Sequence, residues 1–326
     1  LVWVCCWIGY EVMTGFRNAM MGAAGAAGGG FAVDNSAVFN DGDSQFFSYT
    51  PGTPSSTRLQ TLSVWCKRGN LAQTSYDQYI FAAENNEDSL AFHTDGTLRY
   101  AFEGFLYSGK TEAVFRDPHA WYHVVMRIDT TQATSTNRVR IYVNGVDQTL
   151  VQGNSPRDIH PAQNYDLTRW GNASYTHRIG WNGAANKYYD GYMAEFALCD
   201  GQSLAPTSFA EYDDNGVWRP KDFKADVTFG NNGRYLEFQS SGSSLGNDTS
   251  GASNNTTNNN SVTQSSDSPT TNAATFSPLI TRHQTTFAAV TSDWTLTNGN
   301  RTLTHTSGSS GDIMAAASQL LQPGQK

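Results

Sequence analysis

The chain has 326 residues and a formal net charge of −8, and only 15% of its residues are charged. This length accommodates one large β domain with additional segments, and an acidic balance without a basic stripe argues against nucleic-acid binding. The low charge content, with abundant Gly, Ser, Thr and Asn, favours the polar, uncharged exterior of an extracellular or virion-surface protein.

The first segment, residues 1–30, is predicted to be a flexible leader that ends in a run of Gly and Ala. Residues 1–10 are apolar but too short to span a bilayer, and they lack the basic start of a signal peptide. A natural start appears at Met13, so we interpret residues 1–12 as an upstream extension or a truncated reading frame. No membrane span is expected.

Alternating apolar residues predict antiparallel strands throughout residues 31–221. In residues 121–129 and 138–145, every second side chain is apolar, which is typical of strands with one buried face. The second run ends in Asn144-Gly145, a pair that tolerates the positive φ angles of a tight hairpin. Similar short runs separated by turn residues fill the segment, without a long helical period. The sequence therefore predicts an all-β, two-sheet antiparallel jelly-roll sandwich.

Beyond the sandwich the composition changes. Residues 229–238 predict a short pair of strands, whereas residues 240–275 consist almost entirely of Ser, Thr, Asn and Gly. Such a segment cannot bury enough apolar surface to fold alone, so residues 222–285 are predicted to be a disordered linker containing that strand pair. Residues 286–326 are predicted to be a truncated second β unit with a hairpin around residues 298–300.

Five short motifs suggest a family. They are Val64-Trp65-Cys66-Lys67-Arg68-Gly69, Trp121-Tyr122-His123-Val124-Val125, Ile141-Tyr142-Val143-Asn144-Gly145, Asp190-Gly191-Tyr192-Met193-Ala194-Glu195-Phe196 and Gly216-Val217-Trp218-Arg219-Pro220-Lys221. With them, the stretch from about Asp34 to Lys221 resembles the laminin-G-like, concanavalin A-like domains of structural proteins in tailed phages. The leader and the linker are similar to those of the same group, in which a SPRY-like β domain often follows.

The resemblance implies a virion component, such as a tail fibre or another appendage, and it names no active site. The predicted function is therefore a non-enzymatic virion structural or adhesion protein that binds a surface glycan or a neighbouring virion protein. Two alternatives stay open: a secreted lectin-type carbohydrate-binding module and a glycoside hydrolase of the concanavalin A-like class. The expected location is the virion, an extracellular particle. A homo-oligomer is also left open, because fibres of tailed phages are often trimeric, although no coiled-coil heptads are visible in this sequence.

An aromatic-rich segment, residues 165–189, is the predicted ligand-binding region. Sugar rings stack on flat aromatic faces while amide and carboxyl groups bond to their hydroxyls. The predicted ligand-binding residues are Trp170, Asn172, Tyr175, Trp181 and Tyr188. The alternative is that strand aromatics such as Trp181 and Tyr189 lie in the core, which would leave Trp170 and Tyr175 as the exposed pair.

Calcium is the one cofactor left open, because laminin-G-like and pentraxin-like sandwiches often hold this ion at a sheet edge. Asn40-Asp41-Gly42-Asp43 resembles the start of a calcium loop but lacks the later Glu of an EF-hand. Asp41 and Asp43 are therefore candidate calcium ligands. The alternative is an ordinary acidic turn.

Reactive side chains in catalytic patterns are few. A retaining glycosidase needs two carboxylates about 5 Å apart, and the best candidate strand offers only Glu195. His119 and His123 have the spacing of a helical zinc site, but a strand separates them by roughly 13 Å, so zinc is not expected. Cys66 and Cys199 are interpreted as buried free thiols rather than a disulfide. No catalytic residue is predicted.

Overall fold

Antiparallel sheets dominate the structure, a computed structural model that describes residues 30–71, 76–84, 88–153, 158–184, 187–273 and 300, and the backbone of 276–283, 294–297, 302–305 and 313–317. The chain divides into two compact units, residues 1–32 and residues 33–326. Only residues 30–32 of the first unit are described, so the predicted leader lies outside the described residues apart from residue 30. All strands named below belong to the second unit.

The first sheet has eight strands. They are β1 (Ser36–Phe39), β3 (Leu59–Arg68), β8 (Trp121–Asp129), β9 (Val139–Val143), β10 (Val146–Asp147), β13 (Gly191–Asp200), β16 (Arg234–Leu236) and β18 (Thr263–Ser265). Their order is β10-β9-β8-β3-β13-β1-β18. One edge of β13 is shared, because β1 pairs with its first half and β16 with its second half.

The second sheet also has eight strands. They are β2 (Phe46–Tyr49), β4 (Gln78–Ala83), β5 (Asp88–Phe92), β6 (Thr97–Phe102), β7 (Tyr107–Val114), β11 (Leu150–Gln152), β12 (His177–Ile179) and β17 (Thr257–Asn259). Their order is β11-β7-β6-β5-β4-β12-β2-β17. Two antiparallel eight-stranded sheets confirm the predicted jelly-roll sandwich.

Three further strand pairs and four 3-10 helices complete the described elements. The strand pairs are β14 (Ala210–Tyr212) with β15 (Trp218–Pro220), β19 (Phe276–His283) with β22 (Ile313–Ala317), and β20 (Trp294–Thr297) with β21 (Thr302–His305). The 3-10 helices are Asp41–Asp43, Ser135–Asn137, Pro206–Ser208 and Gly242–Ser244. Within the described part of the chain, no helix has the length and apolar character needed to cross a bilayer.

The core lies between the two sheets, and the alternation in the sequence explains which side chains enter it. Val124 and Met126 of β8 face the core, as do Val139 and Ile141 of the neighbouring β9. After β9, Asn144 and Gly145 have φ angles of 49° and 79°, as a tight hairpin requires. This part of the sequence prediction is confirmed.

The outer face of the first sheet is covered as well. A second apolar cluster there combines sheet residues with residues of the chain that follows β13; its buried members are Val125, Tyr142, Ala197, Cys199, Phe209, Phe223, Phe229 and Tyr235. Cys199 belongs to this cluster, whereas Cys66 belongs to the core between the sheets. Both cysteines are free and buried, as predicted.

The predicted disordered linker is wrong for residues 241–273, which fold onto the sandwich. Strand β17 pairs with β2 and strand β18 with β1, so this segment adds one strand to each sheet. Leu245 and Val262 are buried in the core, and the Asp248 carboxylate accepts four hydrogen bonds. Hydrogen bonds from polar side chains, rather than a large apolar face, hold the segment in place.

The strand pair predicted at residues 229–238 is also corrected. Only β16 forms there, and it pairs with β13 instead of with a neighbouring strand of its own. The hairpin predicted around residues 298–300 is confirmed, since Trp294 pairs with His305 and Leu296 with Leu303.

Candidate functional site

The outer face of the second sheet carries a row of small side chains. Directly paired residues point to the same face of a sheet, and one such row crosses six strands: Ser48, Arg178, Ala82, Ser89, Ala101 and Ser108. Arg178 is the long, charged residue of this row. The alanines and Ser89 are buried beneath taller neighbours, so they form a floor rather than a contact surface.

Three half-exposed aromatic rings stand at one end of this face: Phe46, Trp181 and Tyr188, here called the aromatic cluster. Trp181 and Tyr188 stack with ring centroids 5.1 Å apart and an interplanar angle of 12°, and Phe46 lies 4.6 Å from Trp181. Phe46 faces outward because its neighbour Phe47 faces the core. The indole N–H of Trp181 donates to the Ala184 carbonyl at 2.7 Å, which helps to fix the ring.

The position of Trp181 depends on Gly180. Gly180 has a φ of 89°, and a Cβ atom there would lie 2.7 Å from the core ring of Phe39. Only glycine combines that backbone angle with so close an approach. The chain therefore leaves β12 sharply and brings Trp181 back over Arg178, whose guanidinium carbon lies 5.1 Å from the ring centroid.

A second group of side chains on the same side of the sheet is ionic: Asp77, His93, Asp95, Arg99 and Lys110, here called the ionic cluster. Asp77 pairs with Arg99, and Asp95 lies 2.8 Å from Lys110 Nζ and 3.0 Å from His93 Nδ1. Although burial opposes the effect, hydrogen bonds led by the one from Lys110 hold the pKa of Asp95 below its ordinary value. Each carboxylate of this cluster thus has a cationic partner within the protein.

The structure separates the sequence-predicted binding residues. Trp181 and Tyr188 lie together, but the expectation that Trp170 is exposed is wrong, because its side chain is only 1% exposed. Trp170 packs 4.4 Å from Phe81, and its backbone N–H donates to Asp88. It is a core residue.

The other predicted residues lie apart from the stacked pair. Asn172 uses its amide within its own turn, bonding Thr168 and Ser174. Tyr175 is half-exposed and lies under Arg169, with 5.8 Å between the guanidinium carbon and the ring centroid. No ring contact in the described residues joins Tyr175 to the aromatic cluster.

Sequence reasoning missed Phe46 and Arg178, although a signal for each was present. In β2 the core residues Phe47 and Tyr49 alternate with Phe46, and in β12 the core-facing His177 and Ile179 flank Arg178. The alternation therefore predicts that both side chains point to an outer face. The sequence of these short strands does not predict that β2 and β12 lie next to each other.

The predicted calcium ligands lie in a 3-10 turn. Asp43 accepts a hydrogen bond from Asn40 at 2.7 Å, and the Asp41 backbone N–H donates to Asp190 at 3.4 Å. Burial, together with the nearby Asp41 charge, raises the pKa of Asp190 to about 7. Among the described residues, no group of three or more His, Cys, Asp or Glu side chains converges as a metal site would require. Calcium binding by Asp41 and Asp43 stays a prediction of the sequence.

Glu195, the carboxylate weighed for glycosidase chemistry, is only 4% exposed. It sits at a bulge in β13 with a φ of 51°, and the Tyr235 hydroxyl donates to it. Burial raises its pKa to about 8, so the carboxyl is largely protonated at neutral pH. Tyr235 belongs to the layer over the first sheet, so Glu195 does not face an open groove.

A buried Ser63–His123 contact also fails as a catalytic pair. His123 Nδ1 accepts a hydrogen bond from the Trp218 indole at 3.0 Å, so its Nε2 carries the proton and donates to Ser63 Oγ at 2.9 Å. Burial lowers the pKa of His123 to about 3. A histidine that donates to serine cannot take the serine proton, and this contact is structural.

A family model matches the chain and agrees with the fold. Residues 40–205 match the laminin G family model described as the concanavalin A-like lectin/glucanases superfamily. A Bacteroides ovatus protein proposed to bind carbohydrate shares 16% identity over 72% of this chain, with a TM-score of 0.49, and the match covers 60% of that protein. The Limulus polyphemus pentraxin matches at 16% identity over 53% of this chain and 79% of its own, with a TM-score of 0.38.

A third solved structure is domain 4 of the extracellular arabinanase AbnA from Geobacillus stearothermophilus, in complex with arabinotriose. It shares 20% identity over 53% of this chain and 73% of its own, with a TM-score of 0.36. No curated protein matches the sequence. Because the family model spans more than half of the chain and the two sheets form the corresponding sandwich, the chain belongs to the concanavalin A-like lectin/glucanases superfamily.

Proposed function

We propose that the sandwich binds a glycan on the outer face of its second sheet, at the aromatic cluster. The observation that carries this proposal is the stacked pair of half-exposed rings, Trp181 and Tyr188, with Phe46 beside them. Three large aromatic side chains left partly in water expose apolar area that a sugar face would cover. Opposite Phe46, the Asn259 amide N–H groups donate to Ser48 and Thr257, so its carbonyl oxygen is the group that a sugar hydroxyl would use.

Binding without catalysis is part of the proposal. The family name covers both lectins and glucanases, so membership leaves both activities open. Two observations favour binding: Glu195 is buried beneath Tyr235, and the two carboxylates of the ionic cluster are engaged by Arg99 and Lys110. A retaining or inverting hydrolase needs one carboxyl acid and one free carboxylate on either side of the substrate.

We further propose that the protein is a virion structural or adhesion component of a tailed phage, located on the particle and attaching to a surface glycan or a neighbouring virion protein. The support is the resemblance in the motifs, in the leader and in the sequence of the polar segment after residue 240, together with the uncharged polar composition. A SPRY-like unit after residue 286 belongs to the same proposal. A secreted lectin-type module would use the same aromatic cluster.

The test is glycan-array binding of the full chain, followed by calorimetry with the best ligand. We expect Trp181→Ala to weaken binding at least tenfold, equivalent to about 1.4 kcal/mol, because it removes the central ring of the aromatic cluster. Tyr212→Ala is the matched control, since Tyr212 is an exposed aromatic residue on β14.

Unchanged affinity in Trp181→Ala, measured on folded protein, would contradict the proposed site. Release of reducing sugar from the bound glycan would contradict the proposal of binding without catalysis. Weakening by Tyr212→Ala instead would move the site to the opposite side of the sandwich.

A further inference from the structure

We propose that the glycan bound at the aromatic cluster is acidic, and that Arg178 binds its oxyanion, either a uronate carboxylate or a sulfate ester. This inference rests on the proposed function and names the class of ligand. The supporting observation is the surroundings of the Arg178 guanidinium on the outer face of the second sheet.

Within the described residues, the Arg178 side chain makes no hydrogen bond and no ion pair, and its Nη1 is buried without a partner. A guanidinium carries five N–H donors and no acceptor, so its hydrogen bonds require acceptors from other groups. Two arginines that are more deeply buried do have acceptors. Arg68 donates to Gln78 and to the Phe115 carbonyl, and Arg234 donates to two backbone carbonyls although its Nε is also without a partner.

The contact that Arg178 does make is with the aromatic cluster, over the face of Trp181. This contact holds the charge beside the rings that would stack on a sugar, while its neighbours in the row, Ser48 and Ala82, are too short to reach it from the floor. Burial lowers the pKa of Arg178 and the Glu84 charge opposes that shift, but no ion pair joins the two. Arginine stays charged in proteins, so a partly desolvated positive charge stands at the edge of the site.

Such a charge is costly unless a partner arrives. An unmade hydrogen bond to a charged group loses more than one to a neutral group, and a carboxylate or sulfate oxygen pair matches the two-pronged guanidinium. The rings beside it favour an oxyanion that belongs to a sugar over an isolated anion. The net charge of −8 would repel polyanions at a distance, so nonspecific attraction is not the source of the preference.

The experiment compares matched ligands by calorimetry with the full chain at one ionic strength. One pair is oligogalacturonate and its neutral methyl ester; the other is an oligosaccharide of a sulfated galactan and its desulfated form. We expect the wild-type protein to bind the charged member of one pair at least tenfold more tightly than the neutral member, and the pair that responds identifies the oxyanion.

Arg178→Gln should remove that preference, so that the charged and neutral members bind with equal affinity, whereas Arg178→Lys should retain part of it. Arg140→Gln is the control, because it removes one positive charge from β9, which lies in the other sheet. Melting curves of each variant establish that it is folded.

Equal binding of charged and neutral members, or a preference that survives in Arg178→Gln, would overturn the inference and leave the proposed function intact. Failure of all four ligands and of every array glycan to bind would overturn the proposed function itself, and this inference with it.

Discussion

Asp267 gives the sharpest test of how the polar segment after residue 240 is held. Its carboxylate lies 3.0 Å from Lys67 Nζ, and both side chains are fully buried, at 0% and 1% exposure. Its other oxygen accepts hydrogen bonds from the Trp121 indole at 3.2 Å and the Ala273 backbone N–H at 2.9 Å. The pair joins positions 200 residues apart, so it fastens β18 and the chain after it to the first sheet.

Replacing Asp267 with Ala would leave a buried ammonium that retains the Asn272 and Ala273 oxygens, at 3.1 Å and 3.0 Å, but loses its counter-charge. Breaking a buried ion pair by removing one partner typically costs about 3–5 kcal/mol. The buried Trp121 indole N–H and the partly buried Ala273 N–H also lose their acceptor, so we expect a loss of unfolding free energy in the upper half of that range. With an m-value of about 3 kcal/mol per M, the urea midpoint should fall by about 1.3–1.7 M.

The assay is urea unfolding of the full chain followed by tryptophan fluorescence, with hydrogen exchange as a local measurement. Exchange should show that the amides of β18 lose protection before those of β8. Asp166→Ala is the control, because its ion pair with Arg58 is exposed to solvent and contributes little to stability.

A double variant, Lys67→Met with Asp267→Leu, should cost less than the sum of its two single changes, since it leaves no unpaired charge. If Asp267→Ala loses less than about 1 kcal/mol, matching the exposed control, then the pair does not hold the segment and the reasoning fails.

Three further outcomes are expected. Burial raises the pKa of Glu195 to about 8 and that of Asp88 to about 7. The protonated carboxyls therefore stabilise the fold fully below their unfolded pKa of about 4, and this stabilisation is lost as the pH rises through about 7 to 8. Urea midpoints should fall from about pH 5 to about pH 9, and they should fall less steeply in Glu195→Gln. Calcium and EDTA should leave the melting temperature unchanged, and a calcium-dependent rise abolished by Asp41→Asn would show that a metal site forms. Trp170→Ala should lose about 3–5 kcal/mol of stability, measured by urea unfolding, because it empties a core position; a folded variant of full stability would show that this ring is not core.

The fold class followed from local patterns. Alternation in β8 and β9 identifies the core-facing side chains whatever the partner strands are, because the period of a strand is a property of the backbone. Turn residues such as Asn144-Gly145 limit the register of a hairpin in the same local way. These signals need no knowledge of distant residues, and the sandwich could be predicted from them.

The polar segment at 241–273 could not be predicted in this way. Its composition is that of an unfolded linker, and composition reports only how much apolar surface a segment can bury by itself. The segment is ordered by pairing with β1 and β2 and by single buried contacts such as Lys67 with Asp267. Those partners come from the other end of the domain, so the stabilising free energy is invisible in the local sequence.

The candidate site, too, could be predicted from the sequence only in part. The aromatic-rich segment that contains Trp181 and Tyr188 could be recognised in the sequence, because aromatic residues among Asn and Gly are a local feature. The burial of Trp170 was not visible there, and neither was the approach of Phe46 and Arg178 to Trp181. Which side of a sheet a loop returns to, and which strand lies beside it, is decided by long-range packing. The sequence alone determined the sandwich and its aromatic segment, and only the tertiary structure decided which of these rings face water and placed the Arg178 guanidinium beside them.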